Sequence, residues 1–485
     1  MKARLPLAGM IALAGCTAGP NYQPPAIMTG TVVAPDLIED HDPAFERTPL
    51  PAGWWRLYGN PTLDGLIDKA LRRNPDVKSA LASLEEAQAS LRESQRQRTP
   101  GTDLSVNPAY TQASADANGL PKEPPPAFIF SASEMLSYDF DVAGRLRRSI
   151  EAARAQVGAQ AAALDQSRVT IAAETANAYA TVCATGLRIA VTRQSVATAD
   201  ANLKVTQRYF AAGITGANDV VRARTQKEQT ASMLPDLIAQ NRAALFMLAT
   251  LTGDPPEQIP AGVEDCKAPP VLRRPIPVGN GTEMLRRRPD VREAERKLAA
   301  SVAQIGVSAA QLYPNISLGA SIGEVAKGVS DIPKYRAFKW SIGPLISWSF
   351  PNTSVARAQV DQSSAAARGA LAQFDGTVLT ALRQTETALN NYARALDTER
   401  QLRAARDDAA LALRNSQKLY RGGVGAFLDV LDAQRTLAQA NDSLAQATTQ
   451  VAQDQITLFQ SLGGGWQDAP AVEPTDLRRV APVKP

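Results

Sequence analysis

Histidine occurs once in this 485-residue chain, at His41 inside the acidic stretch LIEDHDPAFE (37–46). An imidazole beside carboxylates is the usual material of proton transfer. A general base also needs a nucleophile or a metal within reach, and no serine or cysteine context and no metal-type spacing accompanies this one. His41 therefore reads as solvated surface, and no residue is assigned to catalysis or to a metal. The cysteines are Cys16, Cys183 and Cys266. None stands in a C-x-x-C pair, which removes the ordinary zinc and dithiol motifs. Cys183 and Cys266 are either bonded to each other, the one pairing open to them in an oxidising compartment, or two buried thiols. The formal charge of +4 is small for this length, and no Lys/Arg run interleaves with aromatic residues, so no nucleic-acid partner is expected.

Cys16 has a different setting. The stretch MKARLPLAGMIALAG (1–15) places Lys2 and Arg4 ahead of an apolar run too short to span a membrane, the pattern of a secretory signal peptide. The run ends in LAGC (13–16), which resembles the lipobox of bacterial lipoproteins. That resemblance implies cleavage before Cys16 and acylation of its thiol and amine, a covalent lipid and no other cofactor. Position 17 is Thr, where Asp would be the inner-membrane retention signal of enteric lipoproteins, so the outer membrane is favoured. Two or more acyl chains, at about 0.8 kcal/mol per buried methylene, anchor such an N-terminus firmly.

The elements that carry these residues repeat. LRRNPDV at 71–77 returns as LRRRPDV at 285–291, and the register holds without a gap to Leu104 and Leu318. SYDF (137–140) answers SWSF (347–350), and QRYFAAGITGANDVV (207–221) answers QKLYRGGVGAFLDVL (417–431). The chain thus divides into the signal segment 1–15, a lipidated N-terminal segment 16–62, a first repeat 63–253, a Pro-rich linker 254–278, a second repeat 279–463, and a Pro-rich tail 464–485 expected to be flexible. Each repeat opens with a helix whose first turn is fixed by Pro75 or Pro289. Two strand segments follow, 103–112 and 128–141 in the first repeat, 315–323 and 338–350 in the second. Next comes a proline-free helical pattern over 145–211 or 354–421, a glycine break near 211–218 or 421–427, and a returning helix that ends at Gly253 or Gly463. Pro235 predicts a kink or split in the first return. A helix of about 65 residues is on the order of 100 Å long. No compact monomeric domain is that wide, which predicts a coiled coil or a helical tube.

Within the strand segments the even positions are apolar: Leu104, Val106 and Tyr110; Phe128, Phe130, Leu136 and Phe140, with Glu134 the exception; Ile316 to Ile322; Phe338 to Phe350. Alternation of this length fits a tilted transmembrane strand, and equally a soluble sheet with one wet face. The leader and lipobox favour the membrane. Four strands cannot close a barrel, and an open edge in hydrocarbon leaves backbone groups unsatisfied, so a membrane sheet here needs further copies, three for an open lumen.

Several stretches together resemble the TolC-like outer-membrane efflux proteins, specifically their lipoprotein branch (OprM/NodT-like). They are the lipobox followed by GPNYQPP (19–25), the pair Trp54-Trp55 ahead of LDGLIDKAL (63–71), LRRRPDVREAE (285–295), LYPNISL (312–318) and YRGGVGAFLDVLDAQR (420–435). The resemblance runs from 16 to about 463. It implies a mixed α and β membrane protein: a homotrimer with a twelve-stranded transmembrane β-barrel, four strands per chain, continued by a long periplasmic α-helical barrel of coiled-coil hairpins with an equatorial domain. It also implies a passive conduit for small molecules, served by a periplasmic adaptor protein and an inner-membrane efflux pump and seated in outer-membrane lipid. By similarity, Tyr420, Leu428, Asp432 and Arg435 fall on positions that constrict a closed periplasmic aperture, with Asp219 and Arg222 answering near the first tip. The plain alternative for Asp432 and Arg435 is an i, i+3 surface pair worth a few tenths of a kcal/mol. Gly213, Gly423 and Gly425 are expected to make tight tip turns that meet the adaptor. The hairpin geometry brings Cys183 and Cys266 toward one level, where a disulfide or two thiols remain the alternatives. Two rival readings are a periplasmic adaptor lipoprotein, which would carry one hairpin rather than two repeated ones, and an envelope hydrolase, which a lone His41 does not support.

Overall fold

Proline opens both halves of the molecule, and what precedes it closes them. The computed structural model describes residues 17–30, 37–116, 119, 121–259, 262–272, 274–326, 337–473 and 475, so Cys16 and the leader lie outside the described residues. In chain order the principal elements are α1 (Pro61–Arg73), α2 (Pro75–Arg96), β1 (Gly101–Thr111), β2 (Ala127–Phe140), α3 (Arg145–Ala211), α4 (Ala217–Ala231) and α5 (Leu234–Leu251) in the first half. The second half has α6 (Gly281–Arg287), α7 (Pro289–Ala310), β3 (Asn315–Ala326), β4 (Phe338–Ser347), α8 (Ser354–Arg421) and α9 (Phe427–Ser461). Two compact units result. One comprises Met1–Pro24, Leu84–Gln160 and Ala294–Asp375, the other Pro25–Ser83, Ala161–Glu293 and Gly376–Pro485.

The first unit holds a four-stranded antiparallel sheet in the order β1-β2-β3-β4. Its register keeps even positions opposite even positions: Leu104, Glu134, Ile322 and Trp340 form one cross-strand row, and Phe140, Ile316 and Ile346 another. The apolar face is uncovered within the chain, with Leu104 72% and Trp340 68% exposed. Aromatic pairs stand at both ends of it, Tyr110 with Phe128 at one, Tyr138 with Phe140 and Trp348 with Phe350 at the other. The opposite face is mostly small or polar, with Ile129, Met135, Val325 and Leu345 its larger apolar side chains, and there Ser105 bonds Ser133 and Ser321 bonds Ser341. Glu134 and Glu324 are the carboxylates set among the apolar rows. Strand β4 stops at Ser347 rather than at 350. Its partner β3 begins at Asn315, opposite Ser347, so 348–350 have no ladder partner. Pro108 and Pro344 lie in the two outer strands, where a missing N–H costs least.

The same unit fastens the N-terminal segment. The amide of Ala18 donates to the carbonyl of Ala143 at 3.0 Å. The buried Arg148 guanidinium donates to the carbonyls of Ala18 and Gly19 and to Asn21. The hydroxyl of Tyr22 donates to Glu295 at 2.5 Å.

The second unit is organised around Trp54, which is fully buried and stacks on Phe459 at 4.8 Å between centroids. Its two LRRxPD motifs do one task with different residues. Asn74 accepts from the amides of Asp76 and Val77, which caps α2, and donates through Nδ2 to the carbonyl of Leu251 at the end of α5. In the second repeat Asp290 takes the amide of Val291 and the guanidinium of Arg288, and Arg288 Nη1 reaches the carbonyl of Ser461 at 2.7 Å. Each pair of neighbours thus ties the start of a repeat to the end of its returning helix. The first return is divided: α4 ends at Ala231 and α5 starts anew at Leu234 with Pro235 in its first turn, where no amide partner is required.

The tail departs from expectation. Residues 464–473 are docked, not flexible: Trp466 lies under the Arg292 guanidinium at 4.7 Å and donates to the carbonyl of Arg287, and Glu473 pairs with Arg73 at 2.9 Å. Gly464 and Gly465 permit this, because a Cβ on Gly464 would stand 2.5 Å from Leu50. Residues 476–485 lie outside the described residues.

Arg288→Ala should remove a buried donor from the carbonyl of Ser461, which keeps the Thr385 hydroxyl at 3.3 Å, and take the cation from the partly buried Asp290, lowering stability by about 1–3 kcal/mol. Arg288→Asn, which copies Asn74, should recover part of that loss. Thermal unfolding of the detergent-extracted protein measures both.

Candidate aperture at the hairpin tips

Both long helices end in the same way. At the first tip the amide of Gly213 donates to the carbonyl of Phe210 and that of Ile214 to Tyr209. At the second the amide of Gly423 donates to Tyr420 and that of Val424 to Leu419. This is the Schellman pattern, with a left-handed residue just past the helix end. Gly213 and Gly423 occupy that position at φ +72° and +74°. Gly425 does not, which corrects its expected role as a turn-former. Its φ is ordinary, and it is small because a Cβ there would come within 3.0 Å of Leu419 and of the Tyr420 amide.

Behind the tips, Leu203, Ala223, Phe427 and Leu431 form a buried cluster, with Val220 and Tyr420 packed on it. Tyr420 lies against Tyr209 and Phe427, at ring separations of 5.6 and 5.7 Å. Its hydroxyl is buried and makes no hydrogen bond among the described residues. Burial raises the phenol above the usual tyrosine value, and Tyr209 and Asp219 push the same way. The helix α9 divides by face: Phe427, Val430, Leu431 and Gln434 are buried, while Leu428, Asp432 and Arg435 are exposed, Leu428 by 56%. Asp432 and Arg435 do not form an i, i+3 pair within the chain. Arg435 Nε instead donates to Gln226 Oε1 at 3.4 Å, and Asp432 makes no ion pair among the described residues. Asp219 accepts from the Thr215 hydroxyl, and Arg222 is exposed.

Sequence reasoning missed the amides between the hairpins. Asn202 donates to Gln434 at 2.5 Å, and Gln226, which receives Arg435, is itself buried. The spacing of Phe427, Val430, Leu431 and Gln434 carries the signal, since Gln434 continues the apolar face by three residues. Away from the tips, Cys183 and Cys266 are joined in a disulfide with Cα atoms 4.6 Å apart. Gly186, one turn on, lets the linker close over α3, since a Cβ there would meet the carbonyl oxygen of Cys266 at 2.2 Å. Among the described residues no group of three or more His, Cys, Asp or Glu side chains could hold a metal, and no helix is long and apolar enough to cross a membrane.

A sheet with an uncovered apolar face and two open edges, in a chain whose long helices reverse at two glycine tips, defines a subunit of a membrane channel built from strands and helical hairpins. The outer membrane efflux protein family model matches residues 66–254 and 281–464. Nodulation protein T of Rhizobium leguminosarum bv. trifolii is 29% identical over 455 residues, which cover 94% of this chain and 95% of that protein. Outer membrane protein OprJ of Pseudomonas aeruginosa is 27% identical over 460 residues, with 94% and 95% covered. The solved structure of the outer-membrane channel OprN superposes with a TM-score of 0.86 at 30% identity, covering 93% of this chain and 100% of that one. The chain belongs to the outer membrane efflux protein family. It is an efflux channel component of the outer membrane with the TolC-like fold, a trimeric class that combines a membrane β-barrel with a helical barrel and works with an adaptor and an inner-membrane pump. Its relatives are channels rather than enzymes, and the adaptor alternative is set aside.

Tyr420→Phe should leave stability at pH 7 within about 0.5 kcal/mol of the parent, because no hydrogen bond is lost. The fold favours the neutral phenol, so the contribution of Tyr420 is fully present below its usual value of 10.0 and is lost as pH rises through the raised one. Tm measured across the alkaline range should fall less steeply in the Phe variant.

Proposed function

We propose that three copies of this chain form the exit conduit of an export system, with its closing ring at the hairpin tips. Four strands per copy would give a closed twelve-stranded barrel with no free edge and an open lumen. The less apolar face of the sheet, rich in Ser and Gly with Asp103, Asp139 and Lys339 as its charges, would line that lumen and offers no filter of one charge. Choice of cargo then falls to the pump, and the conduit passes chemically varied small molecules.

The observation that carries the closing ring is the exposed face of α9. Leu428, Asp432 and Arg435 follow one another at i, i+4 and i+7, immediately past the tip and turned away from the chain's own core. Around a threefold axis, Leu428 would form an apolar constriction, and Asp432 would meet the Arg435, or the Arg222, of a neighbouring copy. Tyr420 would act differently: packed between the hairpins, it holds the two tips together. Gly213, Gly423 and Gly425 leave backbone accessible at the tips, where the adaptor would bind. Asp432→Ala combined with Arg435→Ala should raise single-channel conductance in planar bilayers, and conductance equal to the parent would count against a gating pair.

Cys16 is proposed as the acylated N-terminus. Thr17 and Ala18, next in the chain, are fastened at Ala143 and Gly144, three and four residues beyond the end of β2 and near the aromatic collar formed by Phe140 and Trp348. Acyl chains leaving Cys16 would enter the membrane there without a spacer. Intact mass of the mature protein should show an N-terminal Cys16 carrying its acyl groups. A mass for an unmodified chain would refute the anchor.

A further inference from the structure

The two repeats differ in what covers their helices. On α3 the face carrying Arg148, Ala155, Ala159 and Ala162 is buried. The repeat offset of 210 residues, which sets Ser347 against Ser137, turns these positions into Ala358, Ala365, Gly369 and Ala372 on α8, and all four are exposed. The shorter helices show the same contrast. Ala299, Ala303 and Ala310 of α7 are buried. The offset of 214 residues, which sets Leu285 against Leu71, makes them Glu85, Ala89 and Arg96 of α2, all exposed. One face of α8 and one of α2 thus lack the cover that their counterparts have within the chain.

The counterparts cover each other. A Cβ on Gly158 of α3 would stand 2.8 Å from the Arg296 side chain of α7, and one on Gly306 of α7 would stand 2.7 Å from that of Arg148. Further along these two helices Arg292 donates to Asp165 at 3.3 Å. The adjoining strands β2 and β3 pair antiparallel, with Phe140 opposite Ile316. The open strand edges belong to β1, which follows α2, and to β4, which leads into α8. Joining copies edge to edge sets β4 of one beside β1 of the next, and so α8 beside the neighbour's α2, in the arrangement that α3 and α7 have within the chain.

The residues fit that arrangement. At the repeat offsets Asp165 becomes Asp375 and Arg292 becomes Lys78, again an acid and a base. One heptad on, Arg368 answers Glu85, and after a second heptad Asp361 answers Arg92, so the sign alternates along the helices and is opposite at every step. None of the six makes an ion pair among the described residues. The large side chains also find room. Arg148 over Gly306 and Arg296 over Gly158 become Ala358 facing Arg92 and Arg368 facing Ala82, with a guanidinium set against a small residue both times.

We infer that α8 of one copy and α2 of the next form an antiparallel seam closed by three ion pairs, Asp375 to Lys78, Arg368 to Glu85 and Asp361 to Arg92. The inference rests on the three-copy reading above. An exposed pair contributes little alone, so the ladder acts through number and order. A slip of one heptad in either direction sets like charges opposite each other, Arg368 to Arg92 in one case and Asp361 to Glu85 in the other. The charges therefore fix the register in which copies join.

The test uses the full chain carrying Glu85→Cys and Arg368→Cys, treated in detergent with a short bismaleimide and run on a denaturing gel, with assembly read by native mass spectrometry. Covalent dimers and trimers are expected. Glu85→Cys with Asp361→Cys, displaced by one heptad and so by about 10 Å along the axis, should give monomers on the same gel. A trimer in the mass spectrum that yields no covalent dimer from the first pair, or equal crosslinking from both pairs, would overturn the seam and leave the channel reading intact. A parent chain that is monomeric in the mass spectrum would sink the channel reading and the seam with it. Charge reversal keeps the cysteines out of the question. Arg368→Glu should lose trimer, and adding Glu85→Arg should restore it; equal assembly of the single and double variants would overturn the ion pairs.

Discussion

Hydrocarbon offers no partner for a peptide N–H or C=O, and a sheet that enters it must satisfy every backbone group from within. The four strands of this chain satisfy three seams and leave two open, along β1 and β4. Much of the molecule answers to that deficit. The register places apolar side chains in continuous rows on one face, which is the face a bilayer requires, and a slip of one residue would turn Ser and Gly toward the lipid. The missing hydrogen bonds can come only from further copies, so oligomerisation is a condition of the fold and not an addition to it. Even the two strand prolines obey this constraint, since both lie in outer strands and neither interrupts the central pair β2 and β3.

Duplication supplied the parts, and the two halves have since diverged in how they hold together. Where the first repeat uses one asparagine to cap a helix and to catch the end of another, the second divides the work between an arginine and an aspartate. The tips have diverged in the other direction. Their Schellman hydrogen bonds are the same, but the exposed Leu428, Asp432 and Arg435 belong to the second tip alone, while the first offers Asn218, Arg222 and Thr225 at those positions. A ring of tips built from this chain is therefore nearly sixfold in backbone and threefold in chemistry.

The sequence made much of this legible, for reasons that can be named. The limits of α3 and α8 are marked by local chemistry, glycine at one end and strand alternation at the other, so they can be read without tertiary contacts. The apolar parity of the strands is a property of the backbone and survives any arrangement of neighbours. Other features depend on contacts that no local pattern records. The docking of 464–473 relies on Trp54, Arg292 and Arg73, far away in sequence, and its Pro- and Gly-rich composition is that of an unanchored tail. The role of Gly425 depends on how closely the chain returns over Leu419, and the partner of Arg435 lies on the other hairpin. The cysteines gave two alternatives from sequence, and only the approach of the linker to Gly186 brings the sulfurs to bonding distance.

The docked tail has a consequence for the life of the chain before it reaches the membrane. Trp54 and Trp55 are emplaced among the first sixty residues, yet Gly464, Gly465 and Phe459 complete their surroundings, and Glu473 reaches back to Arg72 and Arg73. A chain whose residues 459–473 have not yet been made cannot close this core, because those residues supply part of its wall. Until they arrive, Trp54 and Trp55 lack part of their cover, so the core is completed by contacts some four hundred residues away in sequence and not by the stretch that carries the tryptophans.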